Sequence, residues 1–234
     1  PQTGYRYLAI DLPGFGKASA ADDFDFSIEN RGTYLRDMLD ALEITEPILL
    51  VAHDHGGPFA ASFAVQYPQQ VQALVLQNTI FHRGYQWHPF GVIWRTPLLG
   101  ECFVFTQQID WISKPLAYAY IKWGSPLMTR AHVDDIQRNY DMTLGRTILR
   151  IYRASDPEAF IGWDDRLEQF AQDKPIMILW GVHDKYIPMD WPKDMASKGA
   201  KLVTFDDAGH WLALTKAERY AQELTTFFEE LNND

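Results

Sequence analysis

The stretch Ile-Leu-Leu-Val-Ala-His-Asp-His-Gly-Gly-Pro-Phe-Ala-Ala-Ser-Phe-Ala, residues 48–64, constrains this chain more than any other. Its uninterrupted apolar start predicts a buried strand, His53-Asp54-His55 sits at a break, and Gly56-Gly57 opens a helix rich in small residues. A strand that turns this sharply into a helix forces unusual backbone angles on the turn residue and brings the helix close to the sheet. Ala52, Gly56 and Gly57 supply the small neighbours such a turn needs, and Ala60, Ala61 and Ala64 continue a slim helix face.

An aspartate after a strand also reads as a helix N-cap, but a cap does not need small residues on both sides of it. His53 and His55 share one face of the strand and have a spacing found in metal sites. The Gly-Gly-Pro that follows argues instead for a nucleophile elbow with aspartate where serine is commoner, and no metal is expected. Gly14-Phe15-Gly16 lacks the spacing and the Lys-Ser/Thr end of a phosphate loop, so no nucleotide is expected. The net charge of -10 speaks against nucleic acid or an anionic membrane as partner. No apolar run approaches the roughly 18 residues of a membrane span. Cys102 is the only cysteine, which rules out an internal disulfide and suggests a cytoplasmic protein.

Further strands are expected at Tyr5–Asp11, Val71–Gln77, Lys174–Trp180 and Lys201–Phe205, with an amphipathic helix over Asn30–Ile44 carrying Leu35, Met38, Leu39 and Leu42 on one stripe. Strands alternating with helices at this spacing predict a parallel sheet with helices on both faces. From about Phe81 to Trp163 the pattern turns helical and aromatic, with Trp87, Trp94, Trp111, Trp123 and Trp163. Inserted between two strands, such a segment would sit over the carboxyl edge of the sheet, where open α/β folds bind ligands. The expected division is 1–80 as the first part of the core, 81–165 as a helical cap and 166–234 as the rest of the core. The last helix is expected to begin at Thr215, with Glu218 completing a capping box.

The order Asp54, then Asp184 in Gly181-Val182-His183-Asp184, then His210 in Ala208-Gly209-His210-Trp211 resembles the nucleophile, acid and base of the α/β-hydrolase fold. The resemblance spans essentially the whole chain and implies a mostly parallel sheet flanked by helices, with a helical cap between strands. It implies Asp54 as nucleophile, Asp184 and His210 as the pair that activates water, the backbone N–H of His55 in an oxyanion hole, and no cofactor. Family members carry a second oxyanion donor on a His-Gly-x-Pro-like loop before the strand matching Tyr5–Asp11. That loop is not in this sequence, which is therefore expected to be a fragment lacking N-terminal strands.

A carboxylate is ionised at neutral pH, needs no base, and suits displacement at a tetrahedral carbon. The Asp-nucleophile members of the fold are similar to haloalkane dehalogenases, epoxide hydrolases and fluoroacetate dehalogenases. Leu76-Gln77-Asn78-Thr79 and Trp94-Arg95-Thr96-Pro97-Leu98-Leu99-Gly100-Glu101 lean toward the haloalkane type; Asn78 stands where some dehalogenases place the acid. His55 departs from the Trp usual at that position, whose indole binds halide, and Trp94 is the expected substitute. Ile151-Tyr152-Arg153 resembles a cap motif of epoxide hydrolases, in which a tyrosine donates to the epoxide oxygen; Tyr118, Tyr120 and Tyr140 are also available. The expectation is a haloalkane dehalogenase-like hydrolase acting with water on a small apolar organic substrate, with an epoxide hydrolase as the alternative. A non-catalytic small-molecule-binding protein is the reading from another class.

Overall fold

A computed structural model describes residues 4–231. Ile48–Asp54 (β1), Val71–Thr79 (β2), Ile176–Gly181 (β3) and Lys201–Phe205 (β4) form one parallel sheet in that order. The helices are Ile28–Ala41 (α1), Gly56–Gln66 (α2), Pro89–Arg95 (α3), Leu99–Thr106 (α4), Asp110–Gly124 (α5), Arg130–Arg138 (α6), Met142–Arg153 (α7), Trp163–Asp173 (α8), Asp190–Ser197 (α9), Leu212–Thr215 (α10) and Ala217–Leu231 (α11). None of the described helices is long and apolar enough to cross a membrane.

Alternation along the strands sorts the core into two layers. Leu74, Leu76, Ile176, Ile178 and Trp180 join α1, α2, α8 and α9 on one face, through Leu35, Phe59, Phe63, Leu167 and Met195. Ala73, Val75, Met177 and Leu179 face the other way, onto Phe227 and Phe228 of α11. Central strands covered on both faces read as continuous apolar runs, as β2 and β3 do here.

The strand expected over Tyr5–Asp11 does not form. Among the described residues the sheet is β1 to β4, and Tyr7, Leu8 and Ile10 are 59%, 46% and 39% exposed. An apolar stretch becomes a strand only when a neighbour completes its ladder and a layer covers it. The last helix also differs from expectation: Thr215 ends α10, its hydroxyl donating to Trp211 O, and the long helix starts at Ala217.

Helix α1 begins where Ser27 Oγ accepts the Asn30 N–H at 3.3 Å while donating to Asp25 at 2.7 Å. Ser27→Ala is expected to cost about 1 kcal/mol, read as a lower urea midpoint with an unchanged m-value. The same helix ties the α3–α7 segment to the core. Arg31 is fully buried and donates to Phe26 O, to Ser155 Oγ at 2.7 Å and to Ile151 O in the last turn of α7. Burial lowers the Arg31 pKa to about 9, outweighing the opposing pull of Asp25. Within the segment, Trp94, Val104, Leu149 and Tyr152 hold α3, α4 and α7 together.

Candidate active site

Asp54 ends β1 with φ 48°, a left-handed conformation that costs a non-glycine residue energy and turns its side chain out of the sheet. The strain is held by neighbours. Thr79 Oγ1 donates to Asp54 O, and α2 approaches so closely that a Cβ on Gly57 would lie 1.8 Å from Thr79 Oγ1. At Gly56 the nearest atoms would be 4.0 Å away, so Gly57 is the glycine the turn requires.

The structure brings Asp54, Asp184 and His210 together. His210 Nδ1 lies 2.8 Å from Asp184 Oδ2, and Nε2 lies 3.7 Å from Asp54 Oδ2. Asp184 follows β3, and its Oδ1 accepts the N–H groups of Tyr186 and Ile187 at 2.7 and 3.1 Å. Its Oδ2 also accepts from Asn78 Nδ2 at 2.7 Å, while Asn78 Oδ1 accepts the Gly181 N–H. Asn78 thus braces Asp184 from the end of the neighbouring strand. The loop carrying His210 is pinned in turn by His210 N–H to Gly124 O at 3.1 Å and by Gln77 Nε2 to His210 O at 3.0 Å.

Electrostatics couple the three groups. Burial alone would raise the Asp54 pKa, but the rings of His55, His210 and His53 hold it well below the usual carboxylate range. Burial alone would lower that of His210; Asp184 and Asp54 outweigh it and push it up to about 10. The Asp54 side chain is 42% exposed, against 3% for His210, so the carboxylate is the more accessible of the two. His53 packs beneath, its ring 4.5 Å from that of His210, and burial drives its pKa down to about 3. The two histidines flanking Asp54 do not converge: His55 turns instead to Tyr152, edge to face at 4.7 Å. No cluster of three metal-ligating side chains exists among the described residues.

His55, the expected oxyanion donor, caps α2, where the first N–H groups of a helix have no intrahelical partner. Its ring is buried, held neutral by that burial, and neither nitrogen has a hydrogen-bond partner among the described residues.

Two cavities meet at Asp54 and His55. A chamber of about 40 Å³, room for a water molecule, is lined by Tyr85, Trp87, His88, Tyr120, Tyr152, Tyr186 and His210. A larger space of about 890 Å³ extends under α4 to α7 past Trp94, Phe103, Tyr140 and Ile148. Tyr152 borders both. Trp94 borders only the larger one and stands behind Tyr152 at 4.9 Å, with its indole N–H buried and unpartnered. Tyr118 lies at the surface, 41% exposed. Sequence reasoning missed Tyr85, His88 and Tyr186 as chamber residues. The signal for His88 was its place before Pro89, a helix start that turns a side chain inward.

Residues 1–97 match the family described as alpha/beta hydrolase fold. A cis-3-alkyl-4-alkyloxetan-2-one decarboxylase from Shewanella oneidensis is 28% identical over 257 residues, covering 97% of this chain and 74% of that protein. A 2-hydroxy-6-oxononadienedioate/2-hydroxy-6-oxononatrienedioate hydrolase from Cupriavidus pinatubonensis is 24% identical, with 96% and 76% covered. The solved structure of a thermophilic esterase from Thermogutta terrifontis superposes with a TM-score of 0.72 at 19% identity, over 94% of this chain and 78% of that one. Together with the parallel sheet and the residues gathered at its carboxyl edge, these likenesses show that the chain has the α/β-hydrolase fold.

Proposed function

We propose that the chain is a hydrolase in which Asp54 opens a strained oxygen ring at a tetrahedral carbon, and His210 with Asp184 hydrolyses the resulting ester. The observation that carries this is an ionised, partly exposed carboxylate on a strained turn, sharing one chamber with an imidazole braced by a buried aspartate. A carboxylate needs no base for the first step; among the described residues the small chamber is lined by no lysine or arginine, while Lys114, Arg130 and Arg138 border the larger space beyond it.

In the first step an Asp54 oxygen bonds to the ring carbon and the carbon–oxygen bond breaks. The alkoxide takes the Tyr152 hydroxyl proton. Ester formation removes one of the two carboxylates that hold the His210 proton, so the imidazolium yields it across the chamber both residues line, restoring the Tyr152 hydroxyl. Neutral His210 then takes a proton from water, and the hydroxide attacks the Asp54 carbonyl carbon. The tetrahedral anion, held by the His55 N–H, collapses; the leaving alkoxide takes the proton of the new carboxylic acid, returning Asp54 to carboxylate beside imidazolium.

The relative named for an oxetan-2-one substrate supports a strained oxygen ring as the electrophile. A second reading is halide displacement by the same carboxylate, favoured by the unpartnered indole N–H groups of Trp87 and Trp94. The test is His210→Phe, exposed to epoxides and haloalkanes and weighed intact. Without its base the enzyme is expected to stall as the Asp54 ester. An added hydroxyalkyl mass supports ring opening, an added alkyl mass supports dehalogenation, and an unlabelled Asp54 in a variant whose parent turns over would remove it as nucleophile. Binding of substrate-like molecules without product in the parent protein would favour the non-catalytic reading.

A further inference from the structure

Four tyrosines line the chamber; Tyr120 turns its hydroxyl to those of Tyr152 and Tyr186, which leaves it a donor to them, and hydrogen bonding distinguishes the other three. The Tyr85 hydroxyl donates to Tyr186 O at 3.2 Å, and the Tyr186 hydroxyl donates to Tyr120 O at 2.7 Å. Both protons are committed to backbone carbonyls, which can only accept. Tyr152 differs, because its hydroxyl oxygen lies 3.4 Å from His88 Nε2.

The direction of that last contact follows from the other side of the imidazole. His88 caps α3, and its Nδ1 lies 3.1 Å from the Gly91 backbone nitrogen. A backbone N–H can only donate, so Nδ1 must carry a lone pair. The ring proton is then on Nε2, and the Tyr152 oxygen is its acceptor. Were Tyr152 the donor, both ring nitrogens would lack a proton, which a neutral imidazole cannot do. Burial keeps the ring neutral, lowering its pKa to about 4, and His88 is only 7% exposed.

We propose that His88 is a positioning residue for ring opening: by accepting from Gly91 and donating to Tyr152, it leaves the Tyr152 hydroxyl proton free for the leaving oxygen of the substrate. The inference rests on the ring-opening reading above. The chamber holds the Tyr152 ring in place for this, between Trp87 at 4.7 Å, Trp94 at 4.9 Å and the edge of His55 at 4.7 Å. The donor to the leaving group is thereby chosen by a helix cap in a different element. Gly91 itself is crowded, since a Cβ there would lie 2.8 Å from Trp87 and 3.2 Å from Tyr152.

The test measures the rate of Asp54 ester formation from an epoxide, by quenched intact mass, in the His210→Phe background. His88→Phe is expected to slow labelling about 100-fold, the usual scale of a positioned acid. His88→Gln, whose carbonyl accepts from Gly91 and whose amide donates to Tyr152, is expected to stay within about fivefold of its parent. In a Tyr152→Phe background, His88→Phe is expected to add no more than about threefold, because its effect passes through the missing hydroxyl. Nitrogen NMR of the parent protein is expected to show His88 protonated at Nε2. An equal loss from His88→Phe with and without the Tyr152 hydroxyl, or a proton on Nδ1, overturns the inference while leaving the ring-opening reading intact. If Asp54 labels with no epoxide at all, the ring-opening reading fails and the inference falls with it.

Discussion

Asp54→Asn is expected to lower kcat/KM by about 10⁴-fold or more, since losing the nucleophile of a covalent mechanism leaves only binding and oxyanion stabilisation. The same substitution is expected to move the His210 pKa down from about 10, by about 1 to 3 pH units, the usual influence of one neighbouring carboxylate. The two effects come from one geometry: His210 Nε2 sits 3.7 Å from Asp54 and Nδ1 2.8 Å from Asp184. Kinetics measure the first effect, and an NMR titration of the His210 ring measures the second. The linkage sign is fixed by the direction of the shift. His210 has a folded-state pKa above its usual 6.5, so its stabilisation is complete below that pH and fades as pH rises through about 10. The variant should therefore lose stability relative to parent at pH 6 and approach it at the alkaline end. An unchanged His210 titration in Asp54→Asn would break the link drawn here between ester formation and release of the base.

Much of this site was legible because the chemistry-bearing residues sit at strand ends, and strand ends are marked by apolar runs stopping at glycine or polar residues. Asp54 was placed from such a mark, Asp184 and His210 from the resemblance of their order to that of the α/β-hydrolase fold, and β1, β2, β3, β4 and α2 lie close to their expected positions. Periodicity failed where it had no partner to act on. Tyr5–Asp11 has strand composition but no ladder, and Thr215 has a capping residue's identity while its hydroxyl serves Trp211 O. Helix α9 was not among the expected elements; Pro192 lies in its first turn, where proline is tolerated. Tyr152 and Tyr120 were among the expected candidates, but the roles of the chamber tyrosines were beyond reach for a different reason. Tyr120, Tyr152 and Tyr186 come from two helices and a loop, and which hydroxyl has a proton to give depends on carbonyls and on His88, none of which has a sequence pattern.

Gly181→Ala is expected to destabilise the protein by about 3 kcal/mol and to lower kcat about 100-fold in whatever fraction stays folded. Gly181 closes β3 just before the acid turn, and a Cβ there would lie 2.1 Å from Gly209 O, 2.7 Å from Gly209 C and 2.9 Å from Ala208 O. These are backbone atoms of the loop carrying His210, so no side chain can rotate away to relieve the clash. The loop cannot retreat either, because the Cβ position of Gly209 is 2.5 Å from Gly124 O and 2.7 Å from Ser125 Cα on the far side. Acid turn, base loop and the end of α5 are thus three backbones in contact, cross-tied by His183 N–H to Ala208 O and His210 N–H to Gly124 O, while Asp184 N–H to Gly181 O closes the acid turn itself. Pushing the middle one aside moves an imidazole whose work depends on its distance to Asp54 and Asp184. Gly56→Ala is the matched control: its Cβ has 4.0 Å of room and negative φ, and it sits in the first turn of α2. That change is expected to be neutral or stabilising by up to about 1 kcal/mol. Denaturant melts and kcat measured on both variants separate the two glycines, and equal effects would show that crowding at Gly181 does not hold the base in place.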